Sequence, residues 1–293
     1  MDNPWLLWST LLVVDSLHYV FARLLLPHLP PEVSGFYIMV LAAIEVACFT
    51  GGRIRFDLFR RHWIFFLTIG FLVGASTYMS MLSVKFIDPG TSSLLSRAGV
   101  VFGVALGVLW LGERFDRVQT LGAGLSMVGV FVVAFRPGHV LRLGALLSLG
   151  STLMYALHAA LVKRYGGGMP FAIFLLYRIA GTGLCLGLIV AVAHGTTFGA
   201  VLATSSTMSV GPAGLGLVLL TATVDVVFSR ALYYLALRRL AMSLHTIILT
   251  LSPVVTMLWS FALFGSVPSL REVLGGLAVL AGVALVTARP RSA

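Results

Sequence analysis

Charge is scarce in this chain. Asp, Glu, Lys and Arg make up 10% of its 293 residues, where a soluble domain carries about 25%. A fold so poor in charge has no polar skin with which to cover an apolar fraction of 59%. Cysteine is nearly absent too. Cys48 and Cys185 are the whole complement, and both fall inside apolar runs, so they read as small packed side chains and not as a disulfide or metal framework. The N-terminal MDNPWLLWST lacks the positive region of a signal peptide, and its apolar run continues without a small-residue cleavage pattern, which implies a retained first span. Enzyme signatures are also missing: there is no HExxH, no P-loop and no dinucleotide-binding glycine fingerprint. Gly74-Ala75-Ser76 is the nearest approach to an intramembrane serine protease, and it lacks the second glycine. An enzyme is therefore not expected, and neither is a cofactor or a bound metal.

What the chain does have is apolar stretches of about twenty residues along its whole length, each long enough to cross a hydrocarbon core of about 30 Å as a helix. Bounded by Pro, Gly and charge, they run from 5 to 26, 33 to 50, 63 to 83, 91 to 111, 118 to 135, 143 to 162, 171 to 193, 212 to 235, 242 to 264 and 272 to 288. The net charge of +10 does not suggest nucleic acid as a partner, because the basic residues form no stripe or tail. They sit in the connections. With the N-terminus inside, twelve of them (Arg53, Arg55, Arg60, Arg61, Arg114, Arg117, Lys163, Arg164, Arg238, Arg239, Arg289 and Arg291) fall on one face, against Lys85, Arg136, Arg142 and Arg271 on the other. Basic residues are retained on the cytoplasmic side, so both termini are expected there, in a bacterial-type inner membrane.

The fifth and tenth spans repeat one another. LGAGLSMVGVFVVAFRP (121–137) and LGGLAVLAGVALVTARP (274–290) are identical at seven of seventeen positions at an offset of 153, including Gly122 with Gly275 and Gly129 with Gly282. The same offset places Gly112 on Gly265 and Lys85 on Arg238, and an offset of 140 places His18 on His158. Two repeats are expected, 1–137 and 138–293. Each holds five spans, an odd number, so the second must enter the membrane inverted. Inverted repeats meeting around a midplane site are a recurrent architecture of secondary transporters.

The segment from Met81 to Val130, with KFIDPGTSSLL entering the fourth span, LGERFD leaving it and LGAGLSMVGV opening the fifth, resembles the EamA repeat of the drug/metabolite transporter superfamily. The second copy, from ALRRLAMSLHTIILTLSPVV to LGGLAVLAGVAL, fits the same pattern and keeps a proline at Pro253. The resemblance implies an all-α integral membrane protein of about ten helices, two inverted five-helix repeats around a cavity lined mainly by spans 1, 3, 4, 6, 8 and 9, and alternating access. Two positions depart from the pattern: Val100 stands where many relatives have the fourth-span proline, and Met39 where a basic residue is common in the second span, while Arg178 keeps its counterpart in the seventh.

Asp15, Glu45, Arg97, Arg178, Asp225 and Arg230 all fall inside spans. A charge at the centre of a lone helix costs roughly 2.5–3.5 kcal/mol on insertion scales, so these residues must be paired, hydrated, or both. Asp15 and His18, three residues apart, share a helix face and suit either proton coupling or a structural brace. Arg97 has the planar fork that meets a carboxylate or phosphate, or it closes a salt bridge. Asp225 would face a cationic group or a coupling proton, or pair with an arginine. Arg178, Arg230 and Glu45 are expected to be structural. Tyr78, Tyr155, His158 and His245 with Ser252 complete the candidate substrate-binding or coupling set. Gly99, Gly103 and Gly107 form a small-residue stripe expected to pack closely, within the monomer or across a dimer, the first being favoured. The expected function is a secondary carrier, an exporter of a small polar or zwitterionic metabolite such as an amino acid, acting as a monomer or homodimer in the lipid bilayer. The alternatives are a carrier of an organic anion or phosphate-bearing metabolite, and a non-transporting membrane scaffold or sensor.

Overall fold

A computed structural model of the chain describes residues 4–50, 56–110, 116–134, 143–166, 169–197, 199, 211–230, 232 and 251–287. All of its regular elements are helical. In chain order they are α1 (Pro4–Ser16), α2 (His18–Leu25), α3 (Pro31–Phe49), α4 (Phe56–Ser83), α5 (Pro89–Ser96), α6 (Ala98–Leu109), α7 (Arg117–Ala134), α8 (Leu143–Tyr165), α9 (Phe171–Ala193), α10 (Pro212–Thr221), a π-helical segment (Ala222–Phe228), α11 (Ser252–Phe264) and α12 (Leu270–Thr287). Every apolar run identified above contains described helix, with edges that agree to within a few residues where both ends are described, except that α4 begins well before the run that starts at 63. Phe56–Ser83, Leu143–Val162 and Phe171–Ala193 are each long and apolar enough to cross a bilayer. The protein is an all-α integral membrane protein.

Several spans are interrupted, and the causes are local. In the first, the Ser16 hydroxyl donates to the Val13 carbonyl (2.6 Å) and the next amide, Leu17, bonds three residues back to Val14 (3.2 Å). The fourth repeats the device: Ser96 Oγ donates to the Ser93 carbonyl (2.7 Å), and Arg97 N–H bonds Leu94 (3.0 Å). A serine that takes a backbone carbonyl of the preceding turn competes with the helix ladder and bends it. The fourth span therefore breaks at Arg97 with no proline at the break. In the eighth, Thr221 and Thr223 both donate to carbonyls four residues back (2.7 and 2.9 Å), and the chain widens into the π-helical segment that holds Asp225. Such bulges concentrate at functional sites.

Helix starts follow sequence chemistry. Asp88 caps α5 by accepting from Thr91 N (3.0 Å), with Pro89 in the first turn, where its missing N–H is harmless. At α7, Gln119 N donates to Asp116 Oδ1 (2.8 Å) and Asp116 N to Gln119 Oε1 (3.1 Å); at α12, Ser269 N donates to Glu272 Oε2 (2.8 Å) and Glu272 N to Ser269 Oγ (3.3 Å). These are two capping boxes, and they stand 153 residues apart. Asp116→Ala should lower stability by about 0.5–2 kcal/mol, read as a lower thermal midpoint in detergent, with Ser269→Ala behaving alike.

Among the described residues, α7 and α12 share the most extensive helix contact. A Cβ on Gly129 would lie 2.5 Å from the Gly275 carbonyl oxygen, and one on Gly282 would strike the Gly122 carbonyl. Ser126 Oγ donates to the Val279 carbonyl (3.3 Å). The pairing is antiparallel and crosswise at the 153-residue offset: Gly129 meets the equivalent of Gly122, Gly282 meets the equivalent of Gly275, and Ser126 meets its own equivalent. A twofold axis lying across the two helices produces this pattern. The stripe expected to pack in the fourth span does so only in part. A Cβ on Gly99 would meet the Thr152 side chain at 2.8 Å, whereas one on Gly103 would meet nothing within 4 Å. The Gly107 surroundings lie outside the described residues.

Apolar side chains form two main clusters, one around Leu25, Ile38, Met81, Ile179 and Ala222, the other around Leu95, Val130, Val133, Val279 and Val283. Phe71, Leu121, Phe131, Leu258 and Leu277 face outward, each more than half exposed, as lipid as a solvent allows. Inside lie serines and threonines, among them Ser76, Ser80, Ser93, Ser151, Thr152 and Thr182.

Candidate functional site

The helix interruptions bring ionisable groups together. Asp15 and His18 flank the break in the first span, Arg97 is itself the break in the fourth, and Asp225 sits in the π-helical segment of the eighth. Together with side chains of α3, α4, α8 and α9 they line a cavity of about 250 Å³.

Two contacts between a basic and an acidic side chain cross it. His18 Nδ1 lies 2.7 Å from Asp225 Oδ2 and donates to it, while His18 Nε2 approaches Ser80 Oγ at 3.4 Å. Arg97 Nη2 stands 3.6 Å from Asp15 Oδ2, a looser contact. On the opposite wall, Arg178 Nε donates to His158 Nε2 (3.2 Å) and Nη2 to the Tyr155 hydroxyl (3.4 Å). Guanidinium can only donate, so His158 acts as acceptor and holds the fork of Arg178 in place. The Tyr155 ring lies within cation–π range of both Arg178 (5.9 Å) and Arg230 (6.0 Å).

Asp15, His18, Arg97, Tyr155 and Asp225 thus line the cavity, and His158 is buried behind it. Tyr78 does not line it and instead packs against Val33, Phe36, Leu186 and Val190. His245 lies outside the described residues. Ser252 is buried in the first turn of α11. Arg178 and Arg230, expected to be structural, are both in the lining. Glu45 does have a structural contact, accepting from Thr223 Oγ1 (2.9 Å) and tying α3 to the π-helical segment.

The lining also departs from the family expectation: span 7 contributes Arg178, Ile179 and Thr182, and span 2 contributes Met39. The cause is packing. A Cβ on Gly70 would lie 2.7 Å from the Gly181 backbone, so α4 and α9 touch backbone to backbone and the polar face of α9 reaches the lumen. Arg178 and Thr182, four residues apart in an otherwise apolar run, were the sequence signal of that face. Ser76 hydrogen-bonds Ser151 (3.0 Å) across the α4–α8 contact.

A pattern describing the EamA-like transporter family matches residues 4–135 and again 142–288. The chain belongs to the EamA-like transporter family. It is therefore a multi-pass membrane transporter and not an enzyme. Among the relatives of this EamA-like chain, one from Streptantibioticus cattleyicolor is named "Probable terminal-alkyne amino-acid exporter" and is 30% identical over 74% of this chain and 70% of its own length. The transporter YdfC of Bacillus subtilis is 26% identical over 73% of this chain and 68% of its own. A Salmonella typhimurium protein named "Probable amino-acid metabolite efflux pump" is 28% identical over 49% of this chain and 48% of its own. One solved crystal structure shares the fold, with a TM-score of 0.62 and 17% identity over 97% of this chain and 96% of that one.

Proposed function

We propose that this transporter exports a small zwitterionic metabolite of the amino-acid class by alternating access, its two halves, 1–137 and 138–293, rocking about the α7–α12 seam within the inner membrane, with both termini cytoplasmic. The observation that carries the reading is the charge of the cavity. Three arginines (Arg97, Arg178 and Arg230) line it against two aspartates (Asp15 and Asp225), and each aspartate already has a basic neighbour in the chain. The surplus is positive and suits one carboxylate. Among the described residues Arg178 has no carboxylate within 4.0 Å, its contacts being with His158 and Tyr155, and a planar fork held by His158 is pre-set for bidentate recognition. A substrate ammonium would meet Asp15, whose bond to Arg97 is long. The volume, near the lower end of ligand pockets at about 300–1,000 Å³, suits one small metabolite, and its presence speaks against a mere scaffold. Two relatives named for amino-acid or amino-acid-metabolite export support the same class.

Counterflow in proteoliposomes tests it: unlabelled amino acids should compete with a labelled one, and the amines made by removing their carboxyl group should not. Arg178→Gln should lower exchange about tenfold or more, the scale of one charge-assisted hydrogen bond of about 1.5–3 kcal/mol. Equal competition by the amines, or full exchange in Arg178→Gln, would remove the carboxylate site. A second reading, an organic anion, draws on Arg97 and Arg178 both facing the lumen. N-acylated amino acids competing better than the free ones would favour it.

A further inference from the structure

A second cavity, of about 480 Å³, opens on the outer surface between α4 and α8, away from the transport lumen. Its shape begins with a break. At His62 (φ −124°, ψ 26°) α4 leaves helical geometry, so Phe56–Arg61 turns off as a short separate segment. The mouth is polar, with Arg61, His62 and Tyr165, and the wall is apolar, with Ile64, Phe65 and Leu161. Trp63, Ile64 and Tyr165 are each more than half exposed. Beside the mouth, the Arg164 guanidinium lies 5.6 Å over the Tyr165 ring while donating to the Trp110 carbonyl (3.2 Å). The start of α4 and the ends of α6 and α8 thus meet at one end of the bundle. Arg60, Arg61 and Arg164 gather there, with Asp57 the one carboxylate in residues 56–68.

We propose that this groove is a binding site for an anionic phospholipid, its phosphate against Arg61 and the Tyr165 hydroxyl and one acyl chain along Ile64, Phe65 and Leu161. Charge and depth select the occupant. A basic mouth ringed by Trp and Tyr sits at headgroup level, and basic pockets between membrane helices recognise anionic headgroups. The apolar wall would be wasted on a soluble anion, and the arginine on a neutral lipid.

Native mass spectrometry of the full-length protein, titrated with phosphatidylglycerol or with phosphatidylcholine of the same chains, tests the site. Phosphatidylglycerol should be retained roughly fivefold or more over phosphatidylcholine, a preference of the kind lipid electrostatics supplies. Arg61→Gln should erase the preference, while Arg117→Gln, an exposed arginine outside the groove, should keep it. Leu161→Trp, which fills the wall and leaves the basic mouth, should displace the lipid with transport retained. Equal retention of the two lipids, or equal loss in Arg61→Gln and Arg117→Gln, would overturn the site in favour of a diffuse basic surface. Displacement of the lipid by glycerol 3-phosphate alone would overturn it in favour of a headgroup-only anion site.

Discussion

Asp225→Asn should lower substrate flux in proteoliposomes by roughly ten- to a hundredfold, the kinetic equivalent of losing a charge-assisted hydrogen bond of about 1.5–3 kcal/mol. Asp225 is buried, and its carboxylate accepts from His18 at 2.7 Å. The pair joins the first span to the eighth, and those spans belong to different halves of the chain. Any rocking of one half against the other must therefore stretch or remake this contact. Asparagine keeps the shape and removes the charge, so His18 loses its anionic partner inside a low-dielectric cavity, where breaking a pair costs more than never having built it. His18→Gln combined with Asp225→Asn separates structure from transport. The double variant should recover the thermal midpoint lost by Asp225→Asn and still transport poorly. Wild-type flux in Asp225→Asn, with and without a proton gradient, would reduce the pair to a brace between helices.

Enlarging the glycines of the α7–α12 seam should produce the largest loss of stability. Gly129→Ala puts a methyl group 2.5 Å from the Gly275 oxygen and 2.6 Å from the Val279 nitrogen. Both obstacles are backbone, which cannot swing aside as a side chain can, so the helices must separate. Overpacking of this kind costs typically 1–3 kcal/mol, and Gly282→Ala, which strikes the Gly122 carbonyl, should cost a similar amount. Gly103→Ala adds its methyl group to open space and should leave the midpoint within error. Melting at one fixed scan rate in one detergent gives the comparison, because unfolding of such proteins is often irreversible. If Gly129→Ala and Gly103→Ala melt together, the seam is not close-packed in the protein as it exists.

The helices were legible because a bilayer imposes a simple rule, about twenty apolar residues bounded by Pro, Gly or charge, and runs such as 143–162 and 171–193 obey it. Asp15, His18, Arg97 and Asp225 were legible as cavity candidates because an ionisable group in a span must find company. Three features were not. The breaks at Leu17 and Arg97 depend on single serine hydroxyls taking a carbonyl of the turn before, which a sequence permits but does not compel. Arg178 reads as structural because the seventh span is peripheral in the family pattern, and Arg230 because its long side chain can snorkel; packing puts both in the lining. The lumenal position of Arg178 follows from the approach of Gly70 to Gly181, 111 residues apart in the chain. Tyr78, by contrast, is on a cavity-lining span but points away from the cavity, since one helix has both a lumenal and a packed face. The paired capping boxes at Asp116 and Ser269 were within reach of the 153-residue offset, as D-x-x-Q and S-x-x-E, and extend the repeat beyond its shared glycines.

The crosswise contact of α7 with α12 is blind to up and down. Rotating that helix pair end over end restores the same glycine contacts, with Ser126 and Val279 exchanging places, so nothing in its glycine packing tells one leaflet from the other. The sense of insertion must be written where that symmetry fails, in the basic residues that crowd one set of connections and are sparser in the other. Moving a few of those cations across the bilayer would therefore contest the orientation without disturbing the α7–α12 joint.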